Sequence, residues 1–113
     1  MEQVKISIIT ITYNSERTVE ETLKSVISQA YPNLEYIIVD GASKDKTLDV
    51  VAKYKDSIAR IISEPDKGIA DAFNKGIRMA TGDLIGIINS DDLLLPGALR
   101  KMAESYDGET DVY

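Results

Sequence analysis

Leu84-Ile85-Gly86-Ile87-Ile88-Asn89-Ser90-Asp91-Asp92 is the stretch on which the reading of this chain turns. A short apolar run bounded by polar residues predicts a buried strand. Two neighbouring carboxylates follow at its exit. Like charges at close range raise each other's pKa. A hard divalent cation relieves that repulsion, because it prefers oxygen ligands. A cation held there can in turn grip a ligand phosphate.

Outward from this stretch, strand and helix signals alternate. Val4 to Thr12 is β-branched and apolar and predicts a strand. Val19, Leu23, Val26, Ile27 and Ala30 recur at helical spacing, with Asn14 or Ser15 as the expected cap and Pro32 beyond the end. Leu34 to Val39 predicts a second strand. Leu48, Val51 and Ala52 mark a second helix capped by Ser43 or Asp45. Ala59 to Ile62 predicts a third strand. Ile69, Ala70, Phe73, Ile77 and Ala80 line a third helix. Pro96 suits the first turn of a fourth helix, whose buried face is Leu99, Met102, Ala103 and Tyr106. Asp107 to Tyr113 has no clear pattern and is expected to fray. The order βαβαβαβα predicts an α/β fold with a parallel sheet flanked by helices.

Composition excludes much chemistry. The chain has 113 residues, enough for one domain. It has no Cys and no His, so disulfides, thiolates, imidazole bases and His-ligated metals are absent. The net charge of −6 argues against a nucleic-acid surface. No apolar stretch approaches the ~20 residues that span a bilayer, and no signal peptide is evident. A cytoplasmic protein is expected, with peripheral association at the inner face of the membrane left open.

In open parallel sheets, ligands bind at the carboxyl ends of the strands. The polar residues collect there: Thr12-Tyr13-Asn14, Asp40-Gly41-Ala42-Ser43, Glu64 to Gly68, and Asn89 to Asp92. Helix capping explains Asn14, Ser43 and Asp45 as well as ligand binding does. It suits Asp40 and Asp91 less, since each directly follows a strand. Neither a G-x-G-x-x-G motif nor a P-loop is present. A bound diphosphate then needs a metal, with Asp91 and Asp92 as its candidate ligands. Tyr13 offers an aromatic face for a base, and Asp40 an acceptor for a base imide or a ribose hydroxyl. Lys67 and Lys75 are candidates to neutralise phosphate, with a solvated lysine as the plain alternative. Asp71 and Asn74 lie one turn apart near the start of the third helix, and periodicity does not say which way they face.

Taken in order, Ser7 to Asn14, Ile37 to Thr47, Asp66-Lys67-Gly68-Ile69, Asn74-Lys75-Gly76, Ala80-Thr81-Gly82-Asp83 and Asn89 to Asp92 resemble the N-terminal half of a family 2 glycosyltransferase of GT-A fold. The resemblance spans Ile6 to about Leu99, and its variant is similar to enzymes of bacterial surface polysaccharide synthesis, of colanic acid type. It implies a Rossmann-like, nucleotide-sugar-binding fold over residues 1–113. Thr12, Tyr13 and Asn14 would border base and ribose, and Asp40 would contact the base. Asp91 and Asp92 would form the DXD-type motif. In it Asp92 would ligate Mn2+ or Mg2+, and Asp91 would lie close to the ribose or the metal. The implied donor is a UDP-sugar, and the acceptor a saccharide or a lipid-linked one.

Two departures stand out. Many members carry a second Asp after the strand-two Asp, where this chain has Gly41, and the acidic motif is not a literal D-x-D. The resemblance also implies a catalytic base beyond Tyr113. The chain is therefore expected to be truncated before the acceptor half, with exposed surfaces that favour a homo-oligomer. A sugar nucleotidyltransferase and a non-catalytic nucleotide-binding or assembly module are the competing readings.

Overall fold

The computed structural model describes residues 4–106 and 111–112. Its elements run β1 (Ile6–Thr12), α1 (Val19–Ile27), β2 (Leu34–Asp40), α2 (Thr47–Ala52), β3 (Arg60–Ser63), α3 (Ile69–Met79), β4 (Leu84–Asn89), α4 (Ala98–Glu104) and β5 (Asp111–Val112). A single 3-10 turn, Lys55–Ser57, separates α2 from β3. The strands form one sheet in the order β3-β2-β1-β4-β5, and every pair is parallel. The predicted α/β architecture is the observed one.

β1 sits at the centre, and all seven of its residues are buried. Successive side chains point to opposite faces, so the strand feeds two cores. On one face, Ile6, Ile8, Tyr36, Ile38, Leu84 and Ile88 pack against Val19, Leu23 and Val26 of α1, Val51 of α2 and Leu99 of α4. On the other, Ile9, Ile11, Ile37, Val39 and Ile85 meet α3 through Ala72, with Phe73 and Ile77 alongside. Chain order runs outward from β1 to β3 and then returns past β1 to β4. The change of direction between β1 and β4 is a topological switch point, where loops leave opposite ways and open a crevice.

Buried polar side chains in this sheet are partnered. Thr10 Oγ1 and Tyr36 Oη share a hydrogen bond of 2.8 Å, and burial pushes the Tyr36 phenol far above its ordinary pKa. Glu35 lies on the opposite face. Its carboxylate accepts from Ser7 Oγ (2.7 Å), from the Thr81 amide (2.8 Å) and from Thr81 Oγ1 (3.0 Å), with Lys5 Nζ at 3.7 Å. Burial pushes this carboxyl up, but the Thr81 amide and the other donors outweigh it and hold it below the ordinary value.

Four boundaries differ from expectation. Neither Asn14 nor Ser15 caps α1. Residues 15–18 make a turn in which the Thr18 and Val19 amides bond to the Ser15 carbonyl, and Thr18 takes the cap position. The α2 cap position falls to Lys46, although Asp45 still accepts from the Thr47 amide at 2.9 Å. Pro96 lies before α4. Gly97, at φ 80, begins that helix, because the left-handed turn there needs a residue without Cβ. The segment from Asp107 falls in part outside the described residues; within it, Asp111–Val112 pairs with β4.

Two measurements test these contacts. A Cβ at Gly76 would stand 2.5 Å from Ile9 Cγ2, in the seam between α3 and β1. Gly76→Ala should lower unfolding free energy by about 1–3 kcal/mol despite alanine's better helix propensity. An unchanged urea midpoint would contradict this close packing. A carboxyl with a lower pKa folded than unfolded stabilises above the ordinary Glu range and loses that contribution as pH falls through its folded value. Glu35→Gln should therefore cost about 1–3 kcal/mol at pH 7. It should also flatten the acid limb of the stability curve, and an acid limb identical to wild type would refute the assignment.

Candidate functional site

Three strand exits meet on one carboxylate. Asp40, the last residue of β2, is fully buried. Its oxygens accept from Thr12 Oγ1 at the end of β1 (2.6 Å), from Ser63 Oγ at the end of β3 (2.8 Å), and from Ser43 Oγ (2.6 Å) and the Ser43 amide (2.8 Å). Burial of an ionised carboxylate is costly unless such donors surround it. Ser43 carries the linkage onward, since its Oγ accepts from the Asn14 amide at 2.8 Å. Asn14 adopts φ 46, a conformation Asn tolerates better than most residues, and its Oδ1 accepts from the Lys44 amide at 2.8 Å. Ser15 completes the circuit. Its amide donates to Thr47 Oγ1 (2.7 Å), and its hydroxyl bonds to Ser90 Oγ at the exit of β4 (2.7 Å).

Above this network lies an open crevice of about 900 Å3. Thr12, Tyr13 and Asn14 line it from β1, and Asn89, Ser90 and Asp91 line it from β4, so it straddles the switch point. Tyr13 and Ile69 also line it and are 63% and 64% exposed, which leaves two apolar surfaces facing solvent at the walls. Glu16, Asp45, Asp66 and Asp91 give the crevice an acidic lining, and Arg17 is the one basic residue lining it among the described residues. Burial pushes the Asp45 carboxyl up, but the Thr47 hydroxyl and amide and the Glu16 amide outweigh it and hold it below the ordinary value.

The exit of β3 is organised by Lys75. Its Nζ pairs with Asp66 Oδ1 at 2.6 Å, Glu64 Oε1 at 3.1 Å and Asp71 Oδ2 at 3.6 Å. The Asp66 hydrogen bond leads in raising the Lys75 pKa well above the ordinary lysine value. With three carboxylates around it, this cation is spent on its own loop. Asp71 also accepts from the Lys67 amide at 2.9 Å, which holds its pKa below the usual range. Asn74 is exposed. Lys75 places Asp66 against the exit of β2, where a Cβ at Gly41 would stand 2.9 Å from Asp66 Oδ2 and 3.4 Å from the Tyr13 ring. A side chain at position 41 would therefore press on the Asp66 carboxylate and force it to shift.

The acidic loop has a different character. Asp91 and Asp92 are exposed, and neither carboxylate has a hydrogen-bond or ion-pair partner among the described residues. The loop backbone is fastened to α1. Thr22 Oγ1 lies 2.9 Å from the Ser90 carbonyl and 2.6 Å from that of Asp92. No group of three or more acidic residues is gathered tightly enough to hold a metal alone among the described residues. Two unpartnered neighbouring carboxylates fit a hard cation that takes its other ligands from phosphate and water, as Mg2+ does.

The structure therefore brings Thr12, Tyr13, Asn14 and Asp91 to one crevice. Asp40 lies beneath it with its carboxylate engaged by protein donors, and Asp92 and Lys67 stand outside its lining. Sequence reasoning set Asp66 and Ser90 on the rim without giving them a role, read Ser15 only as a helix cap, and missed Arg17. What holds Asp66 there, its pairing with Lys75 nine residues away, was not legible. Nothing in the local pattern of Arg17 marks it.

The sequence profile of glycosyl transferase family 2 matches residues 7–113. The chain is 42% identical over 88 residues to the UDP-Glc:alpha-D-GlcNAc-diphosphoundecaprenol beta-1,3-glucosyltransferase WfaP of Escherichia coli, covering 77% of this chain and 35% of that one. Among solved structures it is similar to S. aureus TarS in complex with UDP-GlcNAc, with a TM-score of 0.83 and 30% identity over 88% of this chain and 30% of that one. It is also similar to the mannosyltransferase PcManGT of Pyrobaculum calidifontis in complex with GDP-Man and Mn2+, with a TM-score of 0.74 and 32% identity over 82% of this chain and 29% of that one. The chain spans about a third of the length of the curated relatives it matches. Its parallel sheet, its switch-point crevice and a profile match over nearly its whole length make it a member of glycosyltransferase family 2.

Proposed function

We propose that residues 1–113 supply the donor-binding half of a metal-dependent glycosyltransferase that draws on a nucleotide sugar, with UDP as the nucleotide, for bacterial surface polysaccharide synthesis. The observation that carries this reading is the crevice of about 900 Å3, with an exposed tyrosine at the exit of β1 and an unpartnered carboxylate at the exit of β4. The base rests against Tyr13, and the ribose lies along Thr12 and Asn14. Asp40 acts from beneath, as the group that holds Thr12 and the Ser43 loop in place. Arg17 faces the negative charge of the diphosphate.

Asp91 and Asp92 would hold the cation, Mn2+ or Mg2+. When bound, the cation acts as a Lewis acid on the departing diphosphate. In the reaction an acceptor hydroxyl attacks the anomeric carbon. A new carbon–oxygen bond forms as the sugar–phosphate bond breaks, and the hydroxyl proton passes to a base. None of the residues described here takes that role. The acceptor is a saccharide or a lipid-linked saccharide. The diphosphoundecaprenol acceptor in WfaP's name supports the second, and with it a protein that works peripherally at a membrane. No helix among the described residues is long and apolar enough to cross a membrane.

Thermal unfolding with UDP tests the reading. At 100 times its Kd, a ligand adds ~2.7 kcal/mol to the folded state. The gain should need Mn2+ and should vanish in Asp92→Asn. Stabilisation by UDP that ignores both the metal and the substitution would sink the assignment.

A further inference from the structure

We propose that Thr22, Ser25 and Gln29 of α1 and the turn that follows it are positioning residues, which set the geometry of the acidic pair through its backbone. The inference rests on the reading of Asp91 and Asp92 as cation ligands. The three residues are spaced i, i+3 and i+7, which puts them on one side of a helix. Together they engage five backbone groups of the segment from Ser90 to Leu99. The single Thr22 hydroxyl hydrogen is shared between the Ser90 and Asp92 carbonyls, at 2.9 and 2.6 Å. Ser25 Oγ donates to the Thr22 carbonyl (2.7 Å) and accepts from the Leu94 amide (3.1 Å). Gln29 Nε2 donates to the Leu95 carbonyl (2.7 Å), and Gln29 Oε1 accepts from the Leu99 amide (3.1 Å).

The placement of the Thr22 bonds is informative. The Ser90 carbonyl belongs to the peptide plane that enters Asp91, and the Asp92 carbonyl to the plane that leaves Asp92. One hydroxyl thereby fixes both ends of the acidic dipeptide. A turn bond from the Asp92 amide to the Asn89 carbonyl (3.0 Å) and the Ser15–Ser90 hydroxyl bond close the same loop, while both aspartates are exposed and their carboxylates have no partner among the described residues. Leu93 and Leu95 of the same segment are 60% and 77% exposed, so core packing does not hold these positions. Thr22 itself is fully buried between Val19 and Leu23 in the core face of α1, so its hydroxyl position is set by the rigid part of the fold. A loop ordered in advance binds its ligand without first losing conformational freedom. Polar partners of metal ligands typically change metal affinity 10- to 100-fold when lost.

The test compares Thr22→Val, which keeps the shape and removes the hydroxyl, with Thr22→Ser, which keeps the hydroxyl. The Mn2+ concentration giving half-maximal UDP binding is read by calorimetry, and amide hydrogen exchange of residues 89–95 is read in the metal-free protein. Thr22→Val should raise the Mn2+ midpoint about 10-fold or more. It should speed exchange in 89–95 while leaving β1 protected, and Thr22→Ser should restore both. Ser25→Ala, on a half-buried position, gives the same direction of change should Thr22→Val not fold. Wild-type midpoints and exchange in both variants would overturn the proposal, as would a Thr22→Ser protein no better than Thr22→Val. Failure of the wild-type chain to bind UDP with Mn2+ would instead strike the donor-site reading. The exchange arm then decides the positioning claim by itself: faster exchange confined to 89–95 supports it, and unchanged exchange refutes it.

Discussion

The Asp40 carboxylate is the contact on which the ligand-facing end of this molecule depends. It follows the apolar run Ile37-Ile38-Val39, it is sealed from solvent, and it gathers four donors from three separate exits of the sheet. An ionised group in that position is tolerable only with its acceptor capacity filled, so each donor is held where the carboxylate needs it. Thr12 and Ser63 end their strands in register with Asp40 in the parallel ladder. From Ser43 the linkage runs to Asn14, and the adjacent Ser15 reaches Ser90 on the far side of the switch point. Four loops far apart in sequence are thus joined by one hydrogen-bond network.

Charge around the crevice is unevenly distributed. Acidic residues dominate the lining, and Lys75 answers only those of the β3 exit. Asp91 and Asp92 keep their charge uncompensated. Hydrogen bonds from α1 restrain their backbone while their carboxylates stay free. A rigid backbone carrying unspent acceptors suits the capture of a hard cation and, through it, an anionic ligand that the acidic wall would otherwise repel.

Much of this was legible without coordinates. The apolar period of β1, β2 and β4, the amphipathic spacing of α1 and α3, and the clustering of polar residues after each strand all follow from local rules, and they place Tyr13, Asn14 and Asp91 at the correct end of the sheet. Asp40 was legible as unusual, because it follows a buried strand and comes too early to cap a helix. Its engagement was not legible, since its partners Thr12 and Ser63 lie 28 and 23 residues away. Lys75 was misjudged for the same reason. Read singly it is a surface lysine or a phosphate ligand, and only the folded loop surrounds it with carboxylates. The two-residue β5 carries too short a pattern for any period to show.

Sequence by itself determined the layer order, the parallel sheet, the family and the rim on which polar residues gather, because hydrophobic period and strand–helix alternation act over short distances along the chain. Tertiary structure alone decided which of those polar residues face the crevice and which are consumed in holding it open. It set Asp40 below the floor, Lys75 among its own acids and Thr22 behind the acidic pair. The physical reason is that a hydrogen bond or ion pair is settled by distances of about 3 Å in space, and separation along the chain does not encode those distances.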